Sequence, residues 1–349
     1  MELSYTLKII EVRKETNDTV TIVFKQPGLR KVKYLPGQYL TLIFRINNRR
    51  YIRPYSLSSA PCVDSTLNVT VKKIPGGIIS NHIVDQLKVD DLIEVIAPLG
   101  NFTLENSEVN DETSIVLWGA GSGITPLFSI AKHALANSIG KHVTMVYGNK
   151  NYESVIFLKE INQLKMFYPD RFSVWHFHTQ SINVEEVNPY YVLGRIDPQI
   201  VISVLKKETD LNNTLHFICG PKGLKESVND TLTTLGISSS KIFSEDFEII
   251  KNPKDFEGIK TRTVNINFNE QNVAVEVVTG KSILEAGLDA LLDLPYSCQT
   301  GTCLLCKGTK INGQIKLIGI NKFPEELSQE ECLLCCSYPL TDDISISVK

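Results

Sequence analysis

The chain has 349 residues, of which 42% are hydrophobic and 21% are charged. Single domains usually contain about 100–200 residues, so two or three domains are expected, and this composition excludes a chain that is disordered throughout. The formal net charge of −3 excludes the strong basic surplus that favours nucleic-acid or membrane-surface binding, so no nucleic-acid partner is expected.

Membrane insertion is not expected either. The uncharged stretch from Thr113 to Ala131 contains three glycines and Pro126, whereas a spanning helix needs about 20 mostly apolar residues. We interpret it as a buried strand, a glycine loop and the start of a helix. The first residues alternate polar and apolar side chains and do not form a signal peptide, so a cytoplasmic location is expected.

The first part of the chain, residues 1–108, is rich in β-branched and aromatic residues. Turn sequences such as Pro36-Gly37 separate short segments of this kind, which is typical of a small antiparallel β-barrel. Strands are predicted at Tyr5–Val12, Thr19–Phe24, Tyr39–Phe44 and Leu67–Lys72, and a helix at Ile78–Leu87.

Residues 109–250 alternate between strand and helix patterns, which predicts an α/β domain with a parallel sheet and helices on both faces. Strands are predicted at Ser114–Trp118, His142–Tyr147, Phe172–His178, Leu215–Cys219 and Lys241–Phe247. Helices are predicted at Thr125–Ala136, Glu153–Phe167, after Asp197 to about Lys206, and at Leu224–Leu235.

Residues 251–261 are charged, contain Pro253 and Gly258 and show no clear period, which indicates a linker. The last domain, 262–349, is predicted to contain a hairpin of Arg262–Phe268 and Val273–Val278, a helix at Ser282–Leu291 and a cysteine loop. It is acidic, because 7 basic and 11 acidic residues give a net charge of −4, whereas 29 basic and 28 acidic residues give +1 before it.

Six of the eight cysteines fall in the last 52 residues, which points to metal or redox chemistry rather than to disulfides. Cys298, Cys303 and Cys306 form a C-x4-C-x2-C pattern, and Cys335 follows 29 positions after Cys306, with 28 residues between them. This is the plant-type spacing for a [2Fe–2S] cluster. Gly301 in the loop allows the backbone to approach the inorganic sulfides.

Two alternatives stay open at this point. The two C-x2-C pairs at 303/306 and 332/335 resemble a zinc ribbon, although Cys298 is then unused. The fourth cluster ligand is either Cys335 or Cys336, because neighbouring side chains of an extended segment point to opposite faces and only one should face the cluster.

Two glycine-rich turns open predicted helices. Gly119-Ala-Gly121-Ser-Gly123-Ile-Thr125-Pro126 lies between a strand and a helix, where it can cradle a pyrophosphate, although it is not the G-x-G-x-x-G fingerprint. Gly76-Gly77-Ile78-Ile79-Ser80 also opens a helix, and free N–H groups at the positive end of the helix dipole suit a phosphate.

The strand that follows the glycine loop 119–126 and its helix ends at Tyr147-Gly148-Asn149-Lys150. An acidic residue here would bind the ribose 2′-hydroxyl of NADH, and a basic residue accommodates the 2′-phosphate of NADPH. Lys150 therefore favours NADPH over NADH, the alternative being a solvated surface lysine.

These motifs, together with Arg53-Pro54-Tyr55-Ser56, resemble the ferredoxin–NADP reductase family, and the cysteine loop resembles a plant-type ferredoxin of the β-grasp fold. The resemblance covers nearly the whole chain. It implies a multidomain protein with an antiparallel β-barrel flavin domain, an α/β nucleotide domain and a β-grasp ferredoxin domain. The flavin is expected to be FAD, with FMN as the alternative. In the ferredoxins the fourth ligand precedes a proline by four residues, as Cys335 precedes Pro339.

The resemblance also implies roles for single residues. Arg53 would pair with the flavin pyrophosphate, Tyr55 would stack on the isoalloxazine ring, and Ser56 would lie near the flavin N5. The other residues implied at the flavin are Pro54, Gly76, Gly77, Ile79 and Ser80.

At the nicotinamide, Cys219 would lie beside the ring and Glu245 near the flavin, which makes Ser56, Cys219 and Glu245 the candidate catalytic residues. The implied nucleotide-binding residues are Gly119, Gly121, Gly123, Thr125, Pro126, Asn149, Lys150, Cys219, Gly220 and Pro221. The implied metal ligands are Cys298, Cys303, Cys306 and Cys335.

The resemblance implies an oxidoreductase that passes electrons from NAD(P)H through FAD and a [2Fe–2S] cluster to a one-electron acceptor protein. The reductase components of multicomponent oxygenases, especially the phenylacetyl-CoA epoxidase reductase type, are the most similar, so an oxygenase component is the expected partner. The alternatives are another acceptor, such as a hybrid-cluster protein or a desaturase, and a flavoreductase with a zinc-bound interaction module.

Overall fold

The computed structural model describes residues 4–28, 31–47, 49–180, 191–208, 211–249, 251–320 and 324–348. These residues form two compact units. The first comprises Met1–Leu42 and Tyr55–Glu245, and the second comprises Ile43–Pro54 and Asp246–Lys349. Ile250, the predicted end of the nucleotide domain, lies outside the described residues.

Six antiparallel strands form the first sheet, in the order β4-β3-β6-β1-β2-β5. The 13-residue strand β1 pairs with both β6 and β2, and its register shifts between Ile9 and Glu11. Leu57, directly after β4, bridges to Val69 of β5, so the two ends of the sheet meet and close the predicted barrel. The elements are β1 Ser4–Thr16, β2 Thr19–Phe24, β3 Tyr39–Ile46, β4 Arg49–Ser56, β5 Leu67–Lys72, α1 Ile78–Gln86 and β6 Leu92–Leu99.

The second sheet is wholly parallel, with the order β10-β9-β8-β7-β11-β12. Its strands are β7 Ser114–Ala120, β8 His142–Asn149, β9 Phe172–His178, β10 Tyr191–Leu193, β11 Thr214–Cys219 and β12 Ile242–Glu245. The helices are α2 Ile124–Ala136, α3 Leu158–Phe167, α4 Pro198–Glu208 and α5 Lys222–Thr234.

Strand β7 is buried on both faces. Ile115 and Leu117 belong to one apolar cluster, and the alternate residues Val116 and Trp118 belong to another. This explains the continuous apolar run in the sequence, because helices cover both sides of such a strand. The strand order reverses at β7, which has β8 on one side and β11 on the other. Open α/β sheets bind ligands at such a reversal, beside the carboxyl ends of the neighbouring strands, which here are β7 and β11.

Helix α3 is shorter than predicted. It begins at Leu158 rather than at Glu153, because Phe157 has a left-handed backbone with a φ of 61°. Tyr152–Ser154 instead form a separate turn of 3₁₀ helix, capped by the side chain of Asn151. The buried run Val155–Phe157 fills the core between the two helical segments.

The second unit contains a mixed sheet with the order β14-β13-β19-β15-β17 and a separate pair of strands, β16 and β18. Strands β13 and β19 are parallel and the other neighbours in the five-stranded sheet are antiparallel, as expected for a β-grasp fold. The elements are β13 Arg262–Phe268, β14 Gln271–Val277, α6 Ile283–Asp289, β15 Lys307–Asn312, β16 Ile315–Leu317, β17 Glu331–Leu333, β18 Ser337–Pro339 and β19 Ser345–Val348.

Among the residues described, no helix has both the length and the hydropathy needed to cross a membrane.

Candidate functional site

The glycine loop after β7 and the Cys219-Gly220 turn after β11 are packed against each other. Cys219 and Gly119 are register partners on neighbouring strands. A Cβ on Gly123 would overlap the carbonyl oxygen of Cys219, at a separation that real Cβ atoms do not show. Glycine at 123 is therefore required for the close approach of the two loops at the carboxyl ends of β7 and β11.

The remaining loop residues shape a surface that a pyrophosphate fits. Gly121 has a φ of +55°, and the space that a Cβ would occupy there is open. The Thr125 hydroxyl donates to the carbonyl of Ser122 at 3.0 Å, and the Tyr147 hydroxyl donates to the carbonyl of Gly121 at 3.0 Å. Thr125 and Pro126 are buried behind the loop, where they hold its shape.

The turn after β11 leads directly into helix α5. Pro221 is the N-cap residue of this helix, and Gly220 before it has a φ of +157°. A Cβ on Gly220 would lie 3.2 Å from the backbone nitrogen of Ala120. The small residue therefore keeps this turn close to the glycine loop.

The three candidate catalytic residues lie close together although they are far apart in the sequence. Glu245 at the end of β12 is the register partner of Cys219 at the end of β11. The carboxyl group of Glu245 is also hydrogen-bonded to Ser56, at the end of β4. Ser56 and Cys219 are both buried and Glu245 is partly exposed, so the three side chains form one polar group beside the two nucleotide loops.

The environment of Glu245 favours its neutral form. Burial raises the pKa of Glu245 to about 8, although the hydrogen bond with Ser56 works in the opposite direction. The Oε2 atom is enclosed and has no hydrogen-bond partner among the described residues. Burial, and then the charge of Glu245, raise the pKa of the Cys219 thiol well above its usual value. The site thus holds a proton on a carboxyl group at neutral pH.

The flavin motif lies on an edge strand, which tolerates Pro54 because its outer backbone groups need no sheet partner. Alternation along β4 places Arg53 and Tyr55 on the face opposite to Ser56. Arg53 Nη1 donates to the carbonyl of Ile52 at 2.7 Å, and both Arg53 and Tyr55 are partly exposed. Each of these two side chains therefore has exposed surface that a ligand can contact.

Gly77 is the N-cap residue of helix α1, and it provides no side-chain cap. Gly76 before it has a φ of +72° and open space where a Cβ would lie. Ser80 Oγ accepts from the backbone N–H of Ile74 at 3.1 Å, which fixes the turn, and Ile79 is buried. The first turn of α1 can therefore receive a phosphate.

Asn149 and Lys150 lie at the end of β8, next to the glycine loop. Their carbonyls accept from Thr179 N and Gln180 N, at 3.1 and 2.8 Å respectively. Asn149 is buried and Lys150 is exposed. The backbone of Lys150 is therefore held in place while its side chain can reach a ligand.

The four predicted metal ligands form two thiol pairs. Cys298 is hydrogen-bonded to Cys303, and Cys306 to Cys335. Thr300 N also donates to Cys298 Sγ at 3.3 Å. The hydrogen bond between Cys298 and Cys303 lowers the pKa of the Cys298 thiol and raises that of the Cys303 thiol, as expected for two sulfur atoms that share a proton. Two pairs of thiols fit a cluster of two irons, each held by two cysteines.

One premise of the sequence analysis is wrong. Cys335 and Cys336 were expected on opposite faces of an extended segment, but Leu334–Cys336 form a turn of 3₁₀ helix. The tighter backbone turns the two side chains toward each other, and their sulfur atoms lie 3.4 Å apart. Both thiols therefore lie near the predicted ligands.

The zinc arrangement gains no support from these positions. Cys332 lies in β17, and its thiol is hydrogen-bonded to Ser337. Within the described part of the chain, no three His, Cys, Asp or Glu residues come together in a geometry that would hold a single metal ion.

Sequence reasoning missed a set of contacts between residues 49–52 of β4 and residues 289–296, which all belong to the second unit. The backbone N–H of Ile52 donates to the Tyr296 hydroxyl oxygen at 3.1 Å. Two ion pairs lie beside this hydrogen bond, Arg49 with Asp289 at 2.6 Å and Arg50 with Asp293 at 2.5 Å. Some 240 residues separate the partners, so no local pattern could have indicated these contacts.

Three sequence families match successive parts of the chain. Residues 6–104 match the oxidoreductase FAD-binding domain, residues 117–230 the oxidoreductase NAD-binding domain, and residues 266–340 the 2Fe-2S iron-sulfur cluster binding domain. The third match supports iron–sulfur chemistry over the zinc alternative.

Curated relatives and a solved structure span almost the whole chain. The ferredoxin reductase component of 3-ketosteroid-9-alpha-monooxygenase from Rhodococcus rhodochrous is 32% identical over 98% of this chain and 96% of its own length. One component of the 1,2-phenylacetyl-CoA epoxidase from Escherichia coli K12 is 29% identical, with coverage of 99% and 98%. Phthalate dioxygenase reductase shares the fold, with a TM-score of 0.66, 21% identity and coverage of 99% and 98%.

The combination of these matches with the barrel, the parallel sheet and the cysteine loop assigns the chain. It belongs to the family of ferredoxin reductase-type oxidoreductases that join FAD-binding, NAD-binding and [2Fe–2S] domains in one polypeptide, and that includes the reductase components of oxygenases.

Proposed function

We propose that this protein oxidises NADPH and delivers the electrons singly to an oxygenase component. The family already establishes electron transfer from NAD(P)H through FAD in a chain with a [2Fe–2S] domain. The choice of NADPH, the oxygenase partner and the roles of single residues are our proposals. They rest chiefly on the convergence of Ser56, Cys219 and Glu245 beside the two nucleotide loops.

The nucleotide is held at the reversal of strand order. The glycine loop 119–126 receives its pyrophosphate, Lys150 pairs with the 2′-phosphate, and Cys219, Gly220 and Pro221 position the nicotinamide. Gly123 supports this role because it lets the two loops approach closely enough to form one surface. FAD, when bound, would supply the chemistry that converts the two-electron hydride of the nicotinamide into single electrons.

Ser56 and Glu245 bind and release a proton beside the two nucleotide loops. The Ser56 hydroxyl donates to the Glu245 carboxyl, which is protonated at neutral pH because burial raises its pKa to about 8. Because the carboxyl group is neutral before the proton is transferred, the pair can supply a proton, and the site holds no negative charge beforehand. Arg53 and Tyr55 bind the flavin from the other face of β4, and the uncapped first turn of α1, from Gly76 to Ser80, receives its pyrophosphate.

For the cluster, we propose that Cys298 and Cys303 bind one iron and that Cys306 and Cys335 bind the other. The two thiol pairs support this division. We also propose the predicted boundaries, with a flavin domain over 1–108, a nucleotide domain over 109–250, a linker over 251–261 and a ferredoxin domain over 262–349. A cytoplasmic location is proposed because the cytosol keeps thiols such as these reduced.

The oxygenase partner is supported by the two relatives that match almost the whole chain, since one is a component of a monooxygenase and the other of an epoxidase. Because clusters transfer one electron at a time, the acceptor must be a one-electron acceptor. The acidic last domain favours an acceptor with a basic docking face.

One substitution tests the order of electron flow. Cys298→Ser should reduce cytochrome c turnover at least tenfold, and should leave ferricyanide reduction by the flavin within twofold of wild type. Cys62→Ser is the control, since Cys62 is an exposed cysteine outside the proposed ligand set. If cytochrome c turnover survives in Cys298→Ser, electrons do not leave through the cluster and the proposed path is wrong.

A further inference from the structure

Cys336 lies next to the proposed fourth ligand and has no assigned role. Its side chain is fully buried, and its sulfur lies 3.4 Å from that of Cys335. The turn of 3₁₀ helix at Leu334–Cys336 brings the two thiols to the same side of the backbone. The position of the fourth ligand therefore has two thiols rather than one.

The sulfur of Cys336 also faces the loop that carries the other ligands. A Cβ on Gly301 would lie 3.0 Å from Cys336 Sγ. Gly301 is in the middle of the loop between Cys298 and Cys303, and its φ of +82° favours glycine. The absent side chain thus leaves room for this sulfur against the loop.

Cys332, the other additional cysteine of this segment, is different. It is equally buried, but it lies in β17 opposite Gly308 and its thiol is hydrogen-bonded to Ser337. Burial alone therefore does not distinguish Cys336, whereas contact with both the fourth ligand and the loop does.

We infer that Cys336 is a reserve ligand, whose sulfur binds the iron proposed for Cys335 when Cys335 is lost. This inference rests on the ligand set proposed above. A change of χ1 between staggered rotamers moves a cysteine sulfur by roughly 3 Å, comparable to the 3.4 Å between the two sulfurs. On binding, the Cys336 thiol releases its proton to solvent and forms the iron–sulfur bond that Cys335 would have formed, and no electron is transferred.

Paired variants of the full-length protein test this inference. Iron and acid-labile sulfide are measured per flavin after anaerobic purification, and electron paramagnetic resonance spectra are recorded after dithionite reduction. Cys335→Ala should keep iron and sulfide within about twofold of wild type, with a changed spectrum. Cys336→Ala should match wild type, and the double variant should fall at least tenfold in both. Cys332→Ala is the matched control for loss of a buried thiol.

Equal iron in Cys335→Ala and the double variant, whether high or low, would overturn the inference, because Cys336 would then make no difference. So would loss of the cluster in Cys336→Ala alone. Flavin content and circular dichroism report folding. If Cys335→Ala does not fold, Cys335→Val with and without Cys336→Ala gives the same comparison, because the valine side chain cannot bind iron. Cys298→Ala distinguishes the two proposals, because a retained cluster there would refute the ligand set itself.

Discussion

Glu245 is the residue whose chemistry depends most on its surroundings. In the folded protein, burial raises the pKa of its carboxyl from 4.5 to about 8, with the Ser56 hydrogen bond opposing the shift. At pH values between these two pKa values, the folded protein keeps a proton on Glu245 that the unfolded chain has released. The stability contributed by this proton is complete below the unfolded pKa and is lost as the pH rises through the folded pKa.

Glu245→Gln should remove this pH dependence, because glutamine is close in shape to the protonated acid and does not ionise. Its melting temperature should rise relative to that of wild type as the pH increases from about 6 to about 9. The check is thermal unfolding of both flavin-loaded proteins across this range. A constant difference between the two proteins would mean that Glu245 is already ionised in the fold.

Lys150 decides the preference between coenzymes if it binds the 2′-phosphate. A hydrogen bond to a charged group contributes about 1.5–3 kcal/mol, so Lys150→Ala should lower kcat/KM for NADPH by roughly tenfold or more and leave that for NADH nearly unchanged. Steady-state kinetics with both coenzymes measure this. Lys159→Ala, on the exposed surface of α3, is the control, and an equal loss for both coenzymes would contradict the assignment.

Single residues could be predicted where a motif carries them. The cysteine spacing, the glycine loop and Arg53–Ser56 are all visible in the sequence, and Ser56, Cys219 and Glu245 do lie together. The hydrogen bond from Ile52 to Tyr296 could not be predicted, because nothing near either residue depends on the other. The proximity of Cys335 and Cys336 was missed because three residues of 3₁₀ helix leave no sequence period.

At the scale of elements, the junction between β7 and α2 depends on Gly123. Gly123→Ala places a methyl group against the carbonyl oxygen of Cys219, and crowding of this kind costs about 1–3 kcal/mol. We expect lower stability and a raised KM for the coenzyme, measured by denaturation and kinetics. Gly223→Ala in α5 meets nothing within 4 Å and should change stability by less than about 0.5 kcal/mol. Equal effects would show that the close approach is not essential.

Helix α6 begins with a reciprocal cap that is independent of any cofactor. Ser282 Oγ accepts from the backbone N–H of Glu285, and the Glu285 carboxylate accepts from the N–H of Ser282. Ser282→Ala should therefore destabilise the protein by about 1 kcal/mol, measured by urea denaturation. Glu285→Gln keeps an acceptor in place and should lose less; the opposite order would argue against this cap.

Elements were predictable where side-chain patterning is strong. All five predicted strands of the parallel sheet are present, and the first four are compact runs of mostly buried residues. The fifth, β12, is shorter than the predicted Lys241–Phe247, and its Ser244 and Glu245 are polar. Strands β4 and β6 were not predicted. Arg49, Arg50 and Pro54 interrupt the β pattern of β4, and Pro98 interrupts that of β6. The start of α3 was wrong because the left-handed backbone at Phe157 satisfies tertiary packing rather than local preference.

For the whole molecule, the uneven charge should govern encounters with acceptors. Residues from Arg262 onward carry a net charge of −4, so kcat/KM for basic cytochrome c should fall by roughly an order of magnitude as salt is raised. Reduction of the anionic acceptor ferricyanide should not fall. Glu326→Gln with Glu330→Gln, both exposed, should flatten the salt dependence, whereas exposed Glu108→Gln should not. A slope that these changes leave unaltered would place the docking face elsewhere.

The order of domains could be predicted because each has its own signature: alternating strands, strand–helix repeats and spaced cysteines. The closure of the barrel could not be predicted, since it depends on the bridge from Leu57 to Val69, and no local pattern connects these two residues. The reversal of strand order at β7 could not be predicted either, because the positions of the strands in the sheet differ from their order along the chain.

The position of β19 has a consequence for biosynthesis. This strand lies between β13 and β15 in its sheet, yet the ribosome makes it after every other strand of that sheet. Until residues 345–348 have been made, no strand lies between β13 and β15 to connect them. The cysteine loop is therefore translated before the strand that joins the two halves of its sheet, so we expect this sheet to be complete only after residues 345–348 have been made.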